Sequence, residues 1–299
     1  MSLQKRLRGT GVALVTPFKN NQIDWEDLER IIEHVISGGV EYLVSLGTTG
    51  EAATIQEDEH RKILDFTIKI NRGRLPLVAG VFGGNNTTAL VEKIKGFNFE
   101  GIDAILSNSP SYSRPGQEGL FRHYLELAEV SPLPIILYNV PSRTGSNIEA
   151  ATVIRLANAD DKFLGIKEAS GDIYQVMKIL KGRPADFMVI SGDDAITLPF
   201  IASGGDGVIS VIGNAIPKPF SEMVRAALRY DMPAAQQLNM LMLELYRLLF
   251  IEGSPVGVKA ALELQGLCSR DVRLPLVPMT EAGVHLLMPE LEKVLGGVR

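Results

Sequence analysis

The chain has 299 residues, 45% of them hydrophobic and 22% charged, with a net charge of -5. This length holds one α/β barrel or two smaller domains, and the mild acidity gives no reason to expect nucleic acid or an anionic membrane as a partner. Cys268 is the single cysteine, which excludes an intramolecular disulfide framework and fits a reducing compartment. No apolar run is long enough to span a membrane, so the expectation is a soluble cytoplasmic protein.

In chain order, short β-rich runs alternate with amphipathic helical stretches. The strand candidates are 11–15, 42–46, 77–81, 104–107, 135–138, 163–167, 187–191 and 207–211. The intervening helices are expected at 25–36, 57–71, 87–97, 117–130, 149–157, 173–180 and 195–202. Near-continuous apolar strands separated by single helices argue for a parallel sheet buried on both faces. Eight such units fit a closed (β/α)8 barrel, also called a TIM barrel, whose usual size is about 250 residues. An open doubly-wound sheet is the alternative, but no two-half organisation stands out. From about Asp231 the pattern is helical, at 234–251, 256–264 and 281–295. The expected organisation is therefore a catalytic barrel over 1–230 and a helical extension over 231–299, packed on it or used for subunit contact.

In such a barrel the active site forms at the carboxyl ends of the strands, and polar residues gather at those places. Thr16 and Pro17 follow the first strand, and Gly47, Thr48, Thr49, Gly50 and Glu51 follow the second. Tyr138 ends the fifth strand, with Arg143 on the loop beyond it, and Lys167 ends the sixth. A lysine at a strand end can simply reach solvent or pair with Glu168. A neutral lysine amine, however, attacks carbonyl carbons, which is the basis of Schiff-base catalysis. Glycines around Thr48 and Thr49 would let backbone N–H groups approach a small carboxylate, although the segment also reads as a plain turn. Tyr138 can pass protons if a hydrogen-bond chain supports it, or be a core tyrosine with a satisfied hydroxyl. Arg143 can grip a carboxylate bidentately or form a surface ion pair. Asp193 and Asp194 read as caps of a following helix. His34, His60, His123 and His285 lack paired metal-ligand spacing, and no Gly-x-Gly-x-x-Gly motif follows the first strand, so neither a metal nor another cofactor is expected.

The motifs running Gly47 to Glu51, Tyr138 to Gly145, Gly165 to Gly171 and Ser191 to Asp194 occur in the order and spacing of a known group. The chain closely resembles the dihydrodipicolinate synthases, which with the N-acetylneuraminate lyases belong to the pyruvate-dependent class I aldolases. The resemblance runs from about Gly9 to Thr280. It implies a lyase of the diaminopimelate route to lysine, condensing pyruvate with L-aspartate 4-semialdehyde to 4-hydroxy-tetrahydrodipicolinate. It further implies that Lys167 forms the Schiff base, with Tyr138 as its acid/base partner. Thr48 and Thr49 would hold the pyruvate carboxylate, with the Thr49 hydroxyl in a proton relay. Tyr112 would complete that relay in a neighbouring subunit, and Arg143 would bind the aldehyde's carboxylate. Gly192 and Ile209 match backbone positions lining the site. The borrowed tyrosine implies at least a dimer, and the family commonly forms a homotetramer of two dimers.

Thr48 and the Ser142, Arg143, Thr144 run favour the synthases over the neuraminate lyases. A relative acting on another aldehyde, such as a sugar acid or hydroxyproline derivative, would keep the same pyruvate half. A non-catalytic carboxylate-binding barrel is the reading from another class. Against lysine-inhibited members, Glu57 replaces a ring, Ser111 a tyrosine and Ala89 a glutamate, which predicts weak or absent inhibition by lysine. Thr54 to Glu57 also fits a capping box for the next helix.

Overall fold

The computed structural model describes residues 1–297. Among them, eight parallel strands close into a barrel. These are β1 (Gly9–Ala13), β2 (Tyr42–Ser45), β3 (Leu77–Ala79), β4 (Ala104–Asn108), β5 (Ile135–Asn139), β6 (Phe163–Glu168), β7 (Met188–Ser191) and β8 (Gly207–Ser210). Each strand pairs with its sequence neighbours, and β1 closes the ring on β8 with Gly9 opposite Gly207. This is the (β/α)8 barrel that the alternating pattern predicts, not the open sheet.

Side chains alternate across a strand, and here they part into two cores. Val44, Val78, Leu106, Ile136, Tyr138, Ile190 and Ile209 fill the inside, joined by Leu7 just ahead of β1. Leu43, Ile105, Leu137, Ile166 and Val189 pack outward against the helices. One glycine makes the interior possible: a Cβ on Gly11 would lie 2.1 Å from the Tyr42 ring. Tyr42 is fully buried, and its hydroxyl donates to the Val208 carbonyl at 3.3 Å.

The helices Glu57–Asn71, Gln117–Val130 and Val256–Leu264 keep their expected bounds. Asp172 caps the helix after β6, accepting the Gln175 amide at 3.1 Å. Three features depart from expectation. The helix Pro217–Leu228, which completes the eighth unit, is unanticipated; its prolines occupy the first turn, where no backbone N–H is needed. The capping box before the second long helix lies two residues downstream of its expected place. There Glu59 accepts the Gln56 amide at 2.8 Å, while the Thr54 hydroxyl bonds the Glu51 carbonyl. A two-stranded hairpin, Phe18–Lys19 with Gln22–Ile23, also lies between β1 and its helix. The extension comprises Met232–Leu248, Val256–Leu264 and Glu281–Gly297. Among the described residues no helix is long and apolar enough to cross a membrane.

Candidate active site

Tyr138 and Lys167 face each other in register across β5 and β6. Both point into the barrel, at 7% and 5% exposure, with Lys167 Nζ 4.4 Å from the Tyr138 ring centre. The residues that follow them, Asn139 and Glu168, are also in register and by alternation face the helices. Glu168 is therefore no partner for Lys167. Its carboxylate accepts from Asn139 Nδ2 and Gln175 Nε2, each at 2.9 Å, and from the Ser170 amide at 2.7 Å. This buried set ties the two strands together directly behind the lysine and tyrosine.

Lys167 opens into a cavity of about 400 Å³ at the carboxyl ends of the strands. Thr48, Thr49, Tyr138, Arg143 and Gly192 line it, as the sequence suggests they should. Arg143 lies on a single helical turn, Pro141–Thr144, which Gly145 ends in the left-handed region at φ 71°. A Cβ on Gly192 would come within 2.6 Å of the Ala169 Cβ and 3.1 Å of Lys167 Cε, so only glycine leaves the lysine arm free to move.

The glycines flanking Thr48 and Thr49 are not where the loop takes left-handed backbone. The left-handed residues are Leu46 (φ 59°) and Glu51 (φ 55°), which bracket the loop. Gly50 instead allows a close approach, since a Cβ there would sit 3.0 Å from the Leu14 carbonyl. The Thr16 hydroxyl donates to the Gly50 carbonyl at 2.8 Å.

Asp193 also lines the cavity, whereas other residues singled out in the sequence do not. Ile209 is a buried interior residue of β8 and is not among those lining the cavity. Tyr112 is 95% exposed, on a loop after β4, and does not line its own chain's cavity. Asp193 and Asp194 do not cap the helix that follows, whose N-cap is Ile196. Asp194 reaches instead to the turn after β8, accepting the amides of Val211 and Ile212 at 3.0 and 2.9 Å. Its burial pushes the carboxyl up to about 6.

The extension also supplies lining residues that no local motif marks: Tyr246, Phe250 and Ser254. Tyr246 is held by its hydroxyl on Asn239 Oδ1 at 3.1 Å. Their signal is tertiary, because a helix some eighty residues beyond Lys167 carries nothing that announces where it will dock.

Glu57 and Ala89 come together in a second cleft, between the helices Glu57–Asn71 and Thr87–Gly96, with His60 and Lys93. Ser111 lines an adjoining pocket that also includes His60 and Lys93. Desolvation lowers the Lys93 pKa, partly offset by Glu57, and desolvation followed by the Lys93 charge lowers that of His60.

Residues 6–294 match the model of the dihydrodipicolinate synthetase family. The 4-hydroxy-tetrahydrodipicolinate synthase of Flavobacterium psychrophilum is 52% identical over 274 residues, covering 91% of this chain and 93% of that protein. The dihydrodipicolinate synthase of Thermotoga maritima superposes with a TM-score of 0.94 at 39% identity, covering 97% of this chain and 99% of that one. A monomeric dihydrodipicolinate synthase variant matches equally well, with a TM-score of 0.94 at 38% identity over 97% of this chain and 98% of the variant.

Proposed function

Because the chain belongs to the dihydrodipicolinate synthetase family, we propose that it condenses pyruvate with L-aspartate 4-semialdehyde through a Schiff base on Lys167. The observation that carries this reading is Lys167 Nζ lying 4.4 Å from the Tyr138 ring in a cavity with Thr48, Thr49 and Arg143 on its walls. The neutral Lys167 amine attacks C2 of pyruvate, and loss of water from the carbinolamine gives an iminium ion. That cation is the electron sink: loss of a proton from C3 leaves an enamine, whose C3 attacks the aldehyde carbon of the second substrate. The new alkoxide takes a proton, and the substrate's own amine then displaces Lys167 and closes the ring. The steps need proton transfers at the carbinolamine and the alkoxide, which we assign to the Tyr138 hydroxyl with that of Thr49. Thr48 and Thr49 hold the pyruvate carboxylate, and Arg143, exposed at the mouth, takes the carboxylate of the aldehyde.

We assign Tyr112 to the site of a neighbouring copy, completing the relay there. An almost fully exposed tyrosine in a left-handed conformation (φ 65°), pinned by its amide on the Thr144 carbonyl at 3.0 Å, is a side chain presented outward from a fixed backbone. The assembly is thus at least a dimer, and a tetramer of two dimers is the form we expect, working in the cytoplasm.

Borohydride reduction with pyruvate tests the central step. The expected product carries one added mass on the peptide containing Lys167, and an unmodified Lys167 under saturating pyruvate rejects it. The second substrate is tested by turnover of aspartate semialdehyde against sugar-acid aldehydes, with strong preference for the former expected.

A further inference from the structure

Behind the Thr48–Thr49 loop lies an ion pair with no exposure to solvent. Glu51 and Lys259 have side chains 1% and 0% exposed, and Lys259 Nζ meets Glu51 Oε1 at 2.5 Å. The ammonium also donates to the Asp271 carbonyl at 2.8 Å and sits 4.2 Å from the Phe18 ring centre. The second Glu51 oxygen accepts the Arg273 amide at 2.9 Å. The Arg273 guanidinium covers the same Phe18 ring and binds both oxygens of Glu59 at 2.6 and 2.8 Å. Glu51 thus belongs at once to the loop after β2 and, through Lys259, Asp271 and Arg273, to the carboxyl-terminal extension.

A buried ion pair is weak evidence for stability, because desolvation of both charges offsets their attraction and well-packed apolar residues often serve as well. Its value here is geometric. Leu46 and Glu51 hold left-handed conformations that bulky residues rarely adopt, and such strain persists only where the surroundings over-determine it. The two left-handed residues are the two ends of the segment carrying Thr48 and Thr49. One end is held by barrel packing, since Leu46 is buried in the outer core. The other end is held by the charge pair.

We propose that the Glu51–Lys259 pair fixes the Thr48–Thr49 loop for the pyruvate carboxylate, making both residues positioning residues and the extension part of the active-site scaffold. The proposal rests on the reading of that loop as the carboxylate site. Neither side chain touches the cavity, so each acts only through the loop. The extension contributes Tyr246, Phe250 and Ser254 to the wall directly and the carboxylate loop indirectly, by this pair.

The test compares the wild type with E51Q/K259M, which removes both charges, keeps the side-chain volumes and leaves an acceptor for the Arg273 amide. Cooperative thermal unfolding establishes that the variant folds, and E51Q alone is read by the same criteria should the double variant not fold. The measured quantity is the pyruvate concentration for half-maximal borohydride trapping, alongside KM for each substrate and kcat. The expected result is a rise of about 10- to 100-fold in the pyruvate half-saturation, as a displaced binding group costs, with the aldehyde KM moving far less. E51D, which keeps the charge, should recover part of the loss. A folded variant with wild-type pyruvate half-saturation overturns the proposal. Failure of the wild type to be trapped at Lys167 would instead overturn the catalytic reading, so the two are separable.

Discussion

At the scale of single residues, the Lys167–Tyr138 pair was legible because both end strands that declare themselves by apolar runs. Strand alternation then decides which neighbour faces the site: Lys167 inward, Glu168 outward. What the sequence could not say was which glycines matter. Gly47 and Gly50 flank the threonines, yet the left-handed positions are Leu46 and Glu51, and the glycine whose added Cβ would crowd the Lys167 arm is Gly192. Replacing Gly192 by alanine should therefore hinder Lys167 sterically, with slower borohydride trapping and little change in thermal unfolding. Unchanged trapping would show that the arm has room to spare. Tyr138→Phe keeps the ring against Lys167 and removes only the hydroxyl. The expected loss in kcat is about 10²- to 10⁴-fold, the range for a general acid–base group, with Lys167 still trappable by pyruvate. A variant turning over at the wild-type rate would move the proton transfers to another group.

At the scale of elements, the barrel follows from pattern because parallel strands buried on both faces leave an unmistakable apolar signature. Pro217–Leu228 is harder to read, because proline breaks a helix interior whereas Pro217 and Pro219 occupy the first turn of this one. Asp194 shows a further limit: it sits where a cap would, but tertiary geometry sends it to the turn after β8. That placement has a pH consequence. An aspartate ordinarily titrates near about 3.9, and burial lifts Asp194 to about 6. Between these values the folded protein holds the proton more tightly than the unfolded chain, so this group's contribution to stability is present below the lower value. It is lost as pH rises through 6. The loss amounts to something on the order of 3 kcal/mol. In denaturant titrations, the stability of Asp194→Asn relative to wild type should therefore rise from pH 4 to pH 7; a flat difference would mean that Asp194 is ionised throughout. The cleft between the helices Glu57–Asn71 and Thr87–Gly96 allows a similar argument about ligands. Glu57 puts an anionic side chain in that cleft, and Ala89 and Ser111 offer fewer polar partners than a glutamate and a tyrosine would, so a lysine ligand would be held weakly there. Submillimolar lysine should leave the initial rate almost unchanged, and strong inhibition would show that the cleft binds it in another way.

At the scale of the whole molecule, the catalytic unit is larger than the barrel. The extension reaches the cavity through Tyr246, Phe250 and Ser254, and the exposed Tyr112 does not line the cavity of its own chain. A tyrosine carries substantial apolar surface, and one held at 95% exposure on a constrained backbone gains by being covered. If a second copy covers it, the tyrosine hydroxyl arrives in a site that already holds Tyr138 and Thr49, and the proton relay becomes a property of the pair. Two measurements then move together. Sedimentation should show a dimer or larger, and specific activity should fall as dilution drives the chain toward monomer, with Tyr112→Phe lowering kcat without dissociating the assembly. Mixing Tyr112→Phe with an inactive Lys167→Ala variant separates this from a purely structural interface. In a mixed dimer the site with intact Lys167 receives its tyrosine from the Lys167→Ala partner, so activity should exceed that of either variant alone. No recovery in demonstrably mixed dimers would place the action of Tyr112 within its own chain.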